Sequence, residues 1–407
     1  MKPIVSKQAL HWYMVILLGV CSTLLFHSII LPSSQISAPT IAVVNGGEFF
    51  PFTEAELASS STDKKDSVSQ YSIAVTLQPE ERKLVGSQFV AWTNPSVKPM
   101  AELYFHLYPN AFASPKTTFN KESKGKHRSS QLKDHKWGNM EILKLQTTTG
   151  EDLLARTSYI QPDDSNPDDT TLMKIQLLTP VQPNEKIMLQ INFEVQLPYV
   201  YARMGYADAD FYMAGQWFPK LAKYDPIGVR GQIDGEWNLH QYHGNSEFYA
   251  DFSQYDVRIQ VPAAYTVAAT GLSVEEPAFD GKLKTYHFYA EDIHDFAWSA
   301  SPYFIYAEEP FSTPNIPGVK IKLYLDPKHK HLQQRYFQAA KKSLLRFSEW
   351  YGEYPYSTLS IIVPPKAGQG AGGMEYPTLI TSWAATDEQP GLELERVIAH
   401  EIGHQFF

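Results

Sequence analysis

The sequence contains almost no cysteine. Its 407 residues include one, Cys21, so no disulfide can form within the chain. A zinc site built from several thiolates is excluded for the same reason. Any metal site must therefore use the 13 histidines and the 44 Asp and Glu residues that the chain supplies.

The sequence also lacks an excess of positive charge. Its 35 Lys and Arg are outnumbered by 44 Asp and Glu, for a net charge of −9. Because no dense block of basic residues stands out, nucleic acid is not expected as a partner. Hydrophobic residues make up 43% of the chain and aromatic residues 13%, which is enough for large cores and predicts a multidomain globular protein. No internal repeat is present, and no pattern indicates an oligomeric state.

One long apolar run lies near the N terminus. Residues 12–31 contain no Asp, Glu, Lys or Arg, and Lys2 and Lys7 precede them. Because about 20 residues of helix cross the hydrocarbon core, residues 1–31 are predicted to form a cytoplasmic stub and an uncleaved signal anchor. The preceding lysines place the N terminus in the cytoplasm and the bulk of the chain on the other side of the membrane. We therefore expect a single-pass membrane protein.

Two alternatives compete with the anchor. A cleaved signal peptide usually has a shorter apolar run and small residues at its cleavage site. A lipoprotein signal ending at Cys21 would need a small residue where Val20 stands, and the run continues past the cysteine. Both observations favour the uncleaved anchor. The Ser-, Thr- and Pro-rich segment 32–70 then predicts a flexible linker.

Residues 71–306 carry the patterns of strands. Segments such as YSIAVTLQ, GSQFVAWTN and KIMLQINFEVQLP alternate or are rich in aromatic and β-branched residues, and Pro, Gly or Asn bound them. They predict a large antiparallel β domain. The Asp-rich loop within residues 161–170 is either a calcium site or a solvated turn. The spacing of an EF-hand is missing, which favours the turn.

The periodicity changes after residue 307. Asp326 and Pro327 have the character of an N-cap and a first helical residue. Apolar residues then recur at helical spacing as far as Tyr351, and STLSIIVPP predicts a strand after them. Residues 307–407 are therefore predicted to begin a mixed α/β domain.

The last residues of the chain contain a motif that carries metal chemistry. His400 and His404 lie four residues apart, so on a helix they share one face, with Glu401 beside them. The helix is predicted by an apolar stripe made of Leu394, Val397, Ile398 and Ile402. Zn²⁺ binds imidazole readily, but a catalytic site needs three protein ligands and an open position. The sequence supplies two; a buried helix with merely hydrogen-bonded histidines is the less favoured alternative.

A glycine-rich segment precedes the motif. Gly370, Gly372 and Gly373 allow the backbone to approach a ligand closely, and Glu375 follows Met374 on an edge-like strand. The Lys-Ser/Thr pair of a phosphate-binding loop is absent. Alone, the segment is equally compatible with a ligand site and with a core methionine beside a solvated glutamate.

Taken together, GGMEYPTLI and HEIGHQFF resemble the paired signature of the M1 family of zinc aminopeptidases. The first motif of that family is G-x-M-E-N, and here Tyr376 stands in place of Asn. LYPNAF at 107–112, GQWFPKLAKYD at 215–225 and YDVRIQVPAAYTVAATG at 255–271 are similar to segments of the family's N-terminal domain. The resemblance covers about residues 71–407.

The resemblance implies a thermolysin-like gluzincin catalytic domain and one Zn²⁺ ion. His400 and His404 would be zinc ligands, and Glu401 the general base toward water. Glu375 would bind the free α-amine of a peptide substrate, within a motif that Gly372, Gly373 and Met374 complete. Gln216 would line the pocket for the first residue, although a surface glutamine is nearly as good an interpretation.

Two parts of the family pattern have no counterpart here. A glutamate that is the third zinc ligand and a later tyrosine would both fall beyond Phe407. A metzincin would need Gly at position 407, where the sequence has Phe. We therefore expect a chain truncated just after the motif, with an incomplete catalytic domain that is inactive alone. A non-catalytic surface-anchored binding protein, and a zinc endopeptidase that lost amine recognition through Tyr376, remain as alternatives.

Overall fold

The computed structural model describes residues 68–406, except Ser129, Ala209, Asn315, 386–388 and 390–392. The predicted anchor at 1–31 and nearly all of the predicted linker lie outside the described residues.

Strands dominate the described chain. In order along it they are β1 Ser69–Gln78, β2 Lys83–Thr93, β3 Met100–His106, β4 Lys126–His127, β5 Ser130–Gln131, β6 Asn139–Thr147, β7 Thr157–Tyr159, β8 Leu172–Val181, β9 Lys186–Gln196, β10 Gly205–Ala207, β11 Phe211–Ala214, β12 Lys220–Leu221, β13 Tyr224–Asp225, β14 Glu236–Trp237, β15 Ser253–Pro262, β16 Thr266–Ala269, β17 Leu272–Ser273, β18 Ala278–Phe279, β19 Leu283–Ile293, β20 Trp298–Ser301, β21 Ile305–Thr313, β22 Ile316–Leu325, β23 Thr358–Val363, β24 Met374–Tyr376 and β25 Leu379–Thr381. The α-helices are α1 Thr118–Ser123, α2 Gln333–Tyr351 and α3 Leu394–Gly403.

The largest sheet has eight strands in the order β17-β19-β15-β1-β2-β9-β6, with β18 also paired to β19. Its pairings are antiparallel as predicted, except that β1 and β15 run parallel with Tyr71 opposite Tyr255. The two tyrosine rings stack with centroids 4.9 Å apart. This pairing joins residues 184 positions apart, so local alternation could not reveal it.

The β-rich part also contains the two-stranded pairs β4-β5 and β13-β14 and two four-stranded sheets, β12-β3-β8-β7 and β10-β11-β20-β16. Their inward side chains join those of the large sheet in one hydrophobic cluster that includes the fully buried Trp217 and Trp298. The Asp-rich loop is mostly exposed, as expected for a solvated turn, and packs on α1 through Asn166 and Asp169. Asp169 is fully buried and accepts hydrogen bonds from the Thr118 and Thr171 amides.

A five-stranded mixed sheet, in the order β21-β22-β23-β25-β24, carries the C-terminal part. Strands β22, β23 and β25 are parallel neighbours, and β24 lies at the edge, antiparallel to β25. Helix α2 connects β22 to β23 and follows a short 3₁₀ turn that the Asp326 carboxylate caps. The predicted N-cap and amphipathic helix are thereby confirmed.

Helix α3 packs on this sheet through the predicted stripe. Leu394, Ile398 and Ile402 are at most 1% exposed and join the cluster formed by α2 and the sheet. The first cluster also takes in Met374 and Tyr376 from β24. Strand β25 contributes Leu379 to the first cluster and Ile380 to the second, so the two clusters adjoin there. The domain boundaries at 70/71 and 306/307 stay predictions; strand β21 begins at Ile305 and runs across the second one.

The described helices contradict the predicted single-pass membrane location. Within residues 68–406 as described, no helix has the length and apolar character needed to cross a bilayer. The longest, α2, spans 19 residues and carries Arg335, Lys341, Lys342, Arg346 and Glu349. The span 12–31, on which that prediction depended, lies outside the described residues.

The central strand β23 should dominate the stability of the C-terminal part. Ile361 on β23 is 0% exposed, whereas Leu178 on β8 is 55% exposed. Ile361→Ala should lower the free energy of unfolding by about 2–5 kcal/mol, because it leaves a cavity in a packed core. Leu178→Ala should change it by no more than about 0.5 kcal/mol. Urea denaturation followed by circular dichroism compares the two; equal losses would contradict the assignment of β23 to the core.

Candidate metal centre

The imidazole rings of His400 and His404 are in contact at the protein surface. His400 lies in the last turn of α3 and His404 begins a 3₁₀ turn after it. Their Nε2 atoms are 3.3 Å apart, and the ring planes are nearly perpendicular. Two zinc–nitrogen bonds of about 2.0–2.1 Å at a tetrahedral angle would place the nitrogens about 3.3–3.4 Å apart. A hydrogen bond between the rings would give a similar distance, so the fit to zinc depends also on the surrounding groups.

The Glu401 side chain is buried, unlike the two histidines. Its side chain is 3% exposed, and its Oε2 atom has no hydrogen-bond partner among the described residues. Burial and, after it, the charge of Glu375 together raise the pKa of this carboxyl to about 8. A buried polar oxygen without a partner is costly, and a perturbed carboxyl of this kind is typical of functional sites.

Glu375 belongs to the same site. It lies at the centre of edge strand β24, half-buried between the buried Met374 and Tyr376. Its charge acts on His400 as well as on Glu401. Of the predicted site residues, His400, Glu401 and His404 lie together at the end of α3, and Glu375 lies close enough for its charge to act on His400 and Glu401.

Tyr376 lies on the opposite face of β24 from Glu375, since successive side chains of a strand alternate. Its ring is 1% exposed within the β cluster, and burial raises the pKa of its hydroxyl well above the usual range. The hydroxyl has no hydrogen-bond partner in the part of the chain described. The residue that departs from the family pattern thus packs into the core and does not stand beside Glu375.

Gly370, Gly372 and Gly373 are each closely packed against other atoms of this chain. A Cβ at Gly372 would overlap the Trp383 ring, and one at Gly373 would overlap the Arg128 guanidinium. Gly373 also has φ +73°, which favours glycine. A Cβ at Gly370 would lie 2.7 Å from the Val200 carbonyl oxygen. At each of these positions the missing Cβ leaves room for atoms of this chain, and a role of the glycines in substrate binding stays a prediction.

Gln405 is the site residue that sequence analysis missed. Its Nε2 donates to the carbonyls of Glu375 and Tyr376, both at 3.2 Å, and its Oε1 accepts from the Thr378 amide at 2.8 Å. These bonds tie the end of α3 to β24. No local pattern marks a glutamine for this role, because its partners lie 27 to 30 residues away.

Gln216 lies in the interior of the β-rich part. It is 3% exposed, so the surface interpretation is wrong. Its amide nitrogen donates to Asp295, and its oxygen accepts from Lys220 Nζ at 2.6 Å. Lys220 and Asp295 form a buried ion pair, also at 2.6 Å. Both ends of the amide are engaged inside the β-rich part, and the role of Gln216 in substrate binding stays a prediction.

The third metal ligand is not found in the described chain. Within residues 68–406, apart from the gaps given above, no group of three or more His, Cys, Asp or Glu side chains is arranged to hold a metal ion. The two imidazoles are the donors that the structure supplies at this site.

Comparisons with known proteins relate the fold to solved metallopeptidases. No protein-family model matches the chain, and no curated protein matches it in sequence. An M1 zinc metallopeptidase from Deinococcus radiodurans matches in structure with 17% identity and a TM-score of 0.50, and its Glu-to-Ala mutant with 17% identity and a TM-score of 0.54. A two-domain M1 zinc metallopeptidase mutant bound to L-tryptophan matches with 15% identity and a TM-score of 0.50.

Each match covers 84% of this chain and 64% of the other. At these identities the comparisons show that the β-rich fold is shared. The chain spans 64% of the length of these structural relatives.

The Gln405 tie can be tested on stability. Gln405→Ala should cost about 1–3 kcal/mol, because it leaves the buried Thr378 amide and two carbonyls without their partner. Gln334→Ala removes a glutamine from the exposed face of α2, where its amide contacts Glu309, and should cost no more than about 0.5 kcal/mol. Urea denaturation measures both; a Gln405 variant as stable as the Gln334 variant would contradict the tie.

Proposed function

We propose that this protein is a zinc metallopeptidase that removes N-terminal residues from peptides. The observation that carries the proposal is the pair of Nε2 atoms 3.3 Å apart beside the buried, unpartnered carboxylate of Glu401. The fold shared with M1 zinc metallopeptidases supports a hydrolase of this class. Membrane attachment is not part of the proposal.

Zinc held by His400 and His404 would supply Lewis acidity and lower the pKa of a bound water. Glu401 would accept the proton of the water that attacks the scissile carbonyl. Its elevated pKa suits this task, because an effective general base has a pKa near the working pH. The buried surroundings of Glu401 also keep bulk water from competing for the proton.

Glu375 would bind the substrate's α-amine by an ion pair. It lies half-buried on edge strand β24, and its charge acts on His400 and Glu401, so an amine bound there would lie near the reacting carbonyl. Since Tyr376 is turned into the core, its presence does not displace Glu375. This arrangement favours an aminopeptidase over the endopeptidase alternative.

Zinc binding gives the first test. The full chain should bind zinc in a competition titration with a chromogenic chelator, and His400→Gln or His404→Gln should each weaken binding by about tenfold or more, because one of two imidazole donors is lost. His331→Gln removes an exposed histidine elsewhere and should leave the affinity unchanged. Equal affinities in all four proteins would exclude this pair as the metal site.

Turnover gives the second test. In the protein produced as its gene encodes it, Glu401→Gln should reduce zinc-dependent hydrolysis of aminoacyl anilides by about 10²–10⁴-fold, the usual contribution of a general base. Zinc affinity should stay near the wild-type value. Glu349→Gln, at the exposed end of α2, is the control and should keep full activity.

The same assay separates the alternatives. Preference for free over N-acetylated peptides supports the aminopeptidase, and the reverse preference supports an endopeptidase. Zinc binding without any turnover would favour a non-catalytic binding protein.

A further inference from the structure

One carbonyl in the glycine-rich segment accepts hydrogen bonds from two arginines. Arg128 Nη1 lies 2.7 Å from the Gly373 oxygen, and Arg203 Nε lies 3.2 Å from the same atom. A carbonyl oxygen has two lone pairs, so both are used. Gly373 stands two residues before Glu375, so these bonds act on the chain that enters β24.

Arg203 is held in place by its burial and by a backbone hydrogen bond, in addition to its bond to this carbonyl. Its side chain is 2% exposed, and its backbone is in the left-handed region with φ +70°. Its own amide donates to the Gly370 carbonyl at 2.8 Å. A non-glycine residue in this region is strained and is held there by its surroundings.

The guanidinium of Arg203 connects two loops. Nη1 and Nη2 each donate to a different oxygen of Glu247 at 3.0 Å, while Nε donates to Gly373. Glu247 is itself 55% exposed. The planar fork of arginine allows these three bonds at once, which the single ammonium of lysine cannot reproduce.

Arg128 contacts the same carbonyl from another direction. It follows strand β4 in the short β4–β5 hairpin, whereas Arg203 lies between β9 and β10. The Gly373 amide is bonded to strand β25, because it donates to the Thr381 carbonyl at 2.8 Å. Gly373 is thus held through its amide by Thr381 and through its carbonyl by the two arginines, immediately before the strand that carries Glu375.

We propose that Arg203 and Arg128 are positioning residues, which hold the Gly373 carbonyl so that Glu375 faces the substrate amine beside His400 and Glu401. This inference rests on the proposed function and adds to it the residues that set amine recognition. Neither arginine needs to touch the reacting atoms. Both also place positive charge near Glu401.

Hydrogen exchange tests the positioning without requiring turnover. In the full chain, Arg203→Lys should speed amide exchange in segment 372–376 by about tenfold or more, because the local opening free energy falls when the carbonyl is released. Arg128→Lys and Glu247→Gln should produce smaller increases in the same segment. Exchange in β1 and β2 should stay at the wild-type rate.

Arg82→Lys provides a matched control. Arg82 stacks over Tyr206 at 4.4 Å from the ring centroid and donates to its hydroxyl, so it is another arginine anchored in the β-rich part. It should leave exchange in segment 372–376 unchanged. Wild-type exchange of that segment in Arg203→Lys, or equal acceleration in Arg82→Lys, would overturn the proposal.

Steady-state kinetics distinguishes a role of Arg203 in positioning Glu375 from a purely structural role in the strand. Arg203→Lys should raise KM for a free-amine peptide by about tenfold while leaving KM for its N-acetylated analogue and the zinc affinity within about twofold, because misplaced binding groups lose their specific contact. Accelerated exchange with an unchanged amine preference would show that the arginines only support the strand, and would refute the inference. If the wild-type protein has no turnover, the proposed function fails, while the exchange result still decides whether the arginines hold Gly373.

Discussion

The end of helix α3 is tied to edge strand β24 by one side chain, and the candidate site depends on this tie. Gln405 makes three hydrogen bonds to the backbone of residues 375–378, and it follows His404 directly. Burial of Ile398 and Ile402 sets the rotation of the helix, whereas Gln405 sets its distance from Glu375. Together they set where the exposed His400 and His404 and the buried Glu401 lie relative to the half-buried Glu375.

Charge at this site is balanced by residues from distant parts of the chain. Glu375 and Glu401 repel each other, which together with burial raises the pKa of Glu401. Arg128 and Arg203 oppose that repulsion and also bind the Gly373 carbonyl. The β-rich part therefore contributes to the site directly. A buried carboxylate with an unpartnered oxygen is costly for folding, and the proposed role in proton transfer would account for this cost.

Sequence analysis predicted the parts of the site that depend on local periodicity. The one-turn spacing of His400 and His404, the apolar stripe of α3 and the edge position of Glu375 all follow from a few adjacent residues. Gln405 and Arg203 could not be found this way, because their partners are separated by 27 to 170 residues. Burial of Gln216 and of Tyr376 depends on the same long-range packing. The apolar run at 12–31 suggested a membrane location that the described helices do not support.

X-ray absorption spectroscopy of the zinc-loaded protein tests most directly whether the imidazoles of His400 and His404 hold one metal ion. We expect two histidine nitrogens in the first coordination shell at about 2.0–2.1 Å, with the imidazole signal reduced by half in His404→Gln. A shell fitted without histidine, or a spectrum that His404→Gln leaves unchanged, would contradict the assignment.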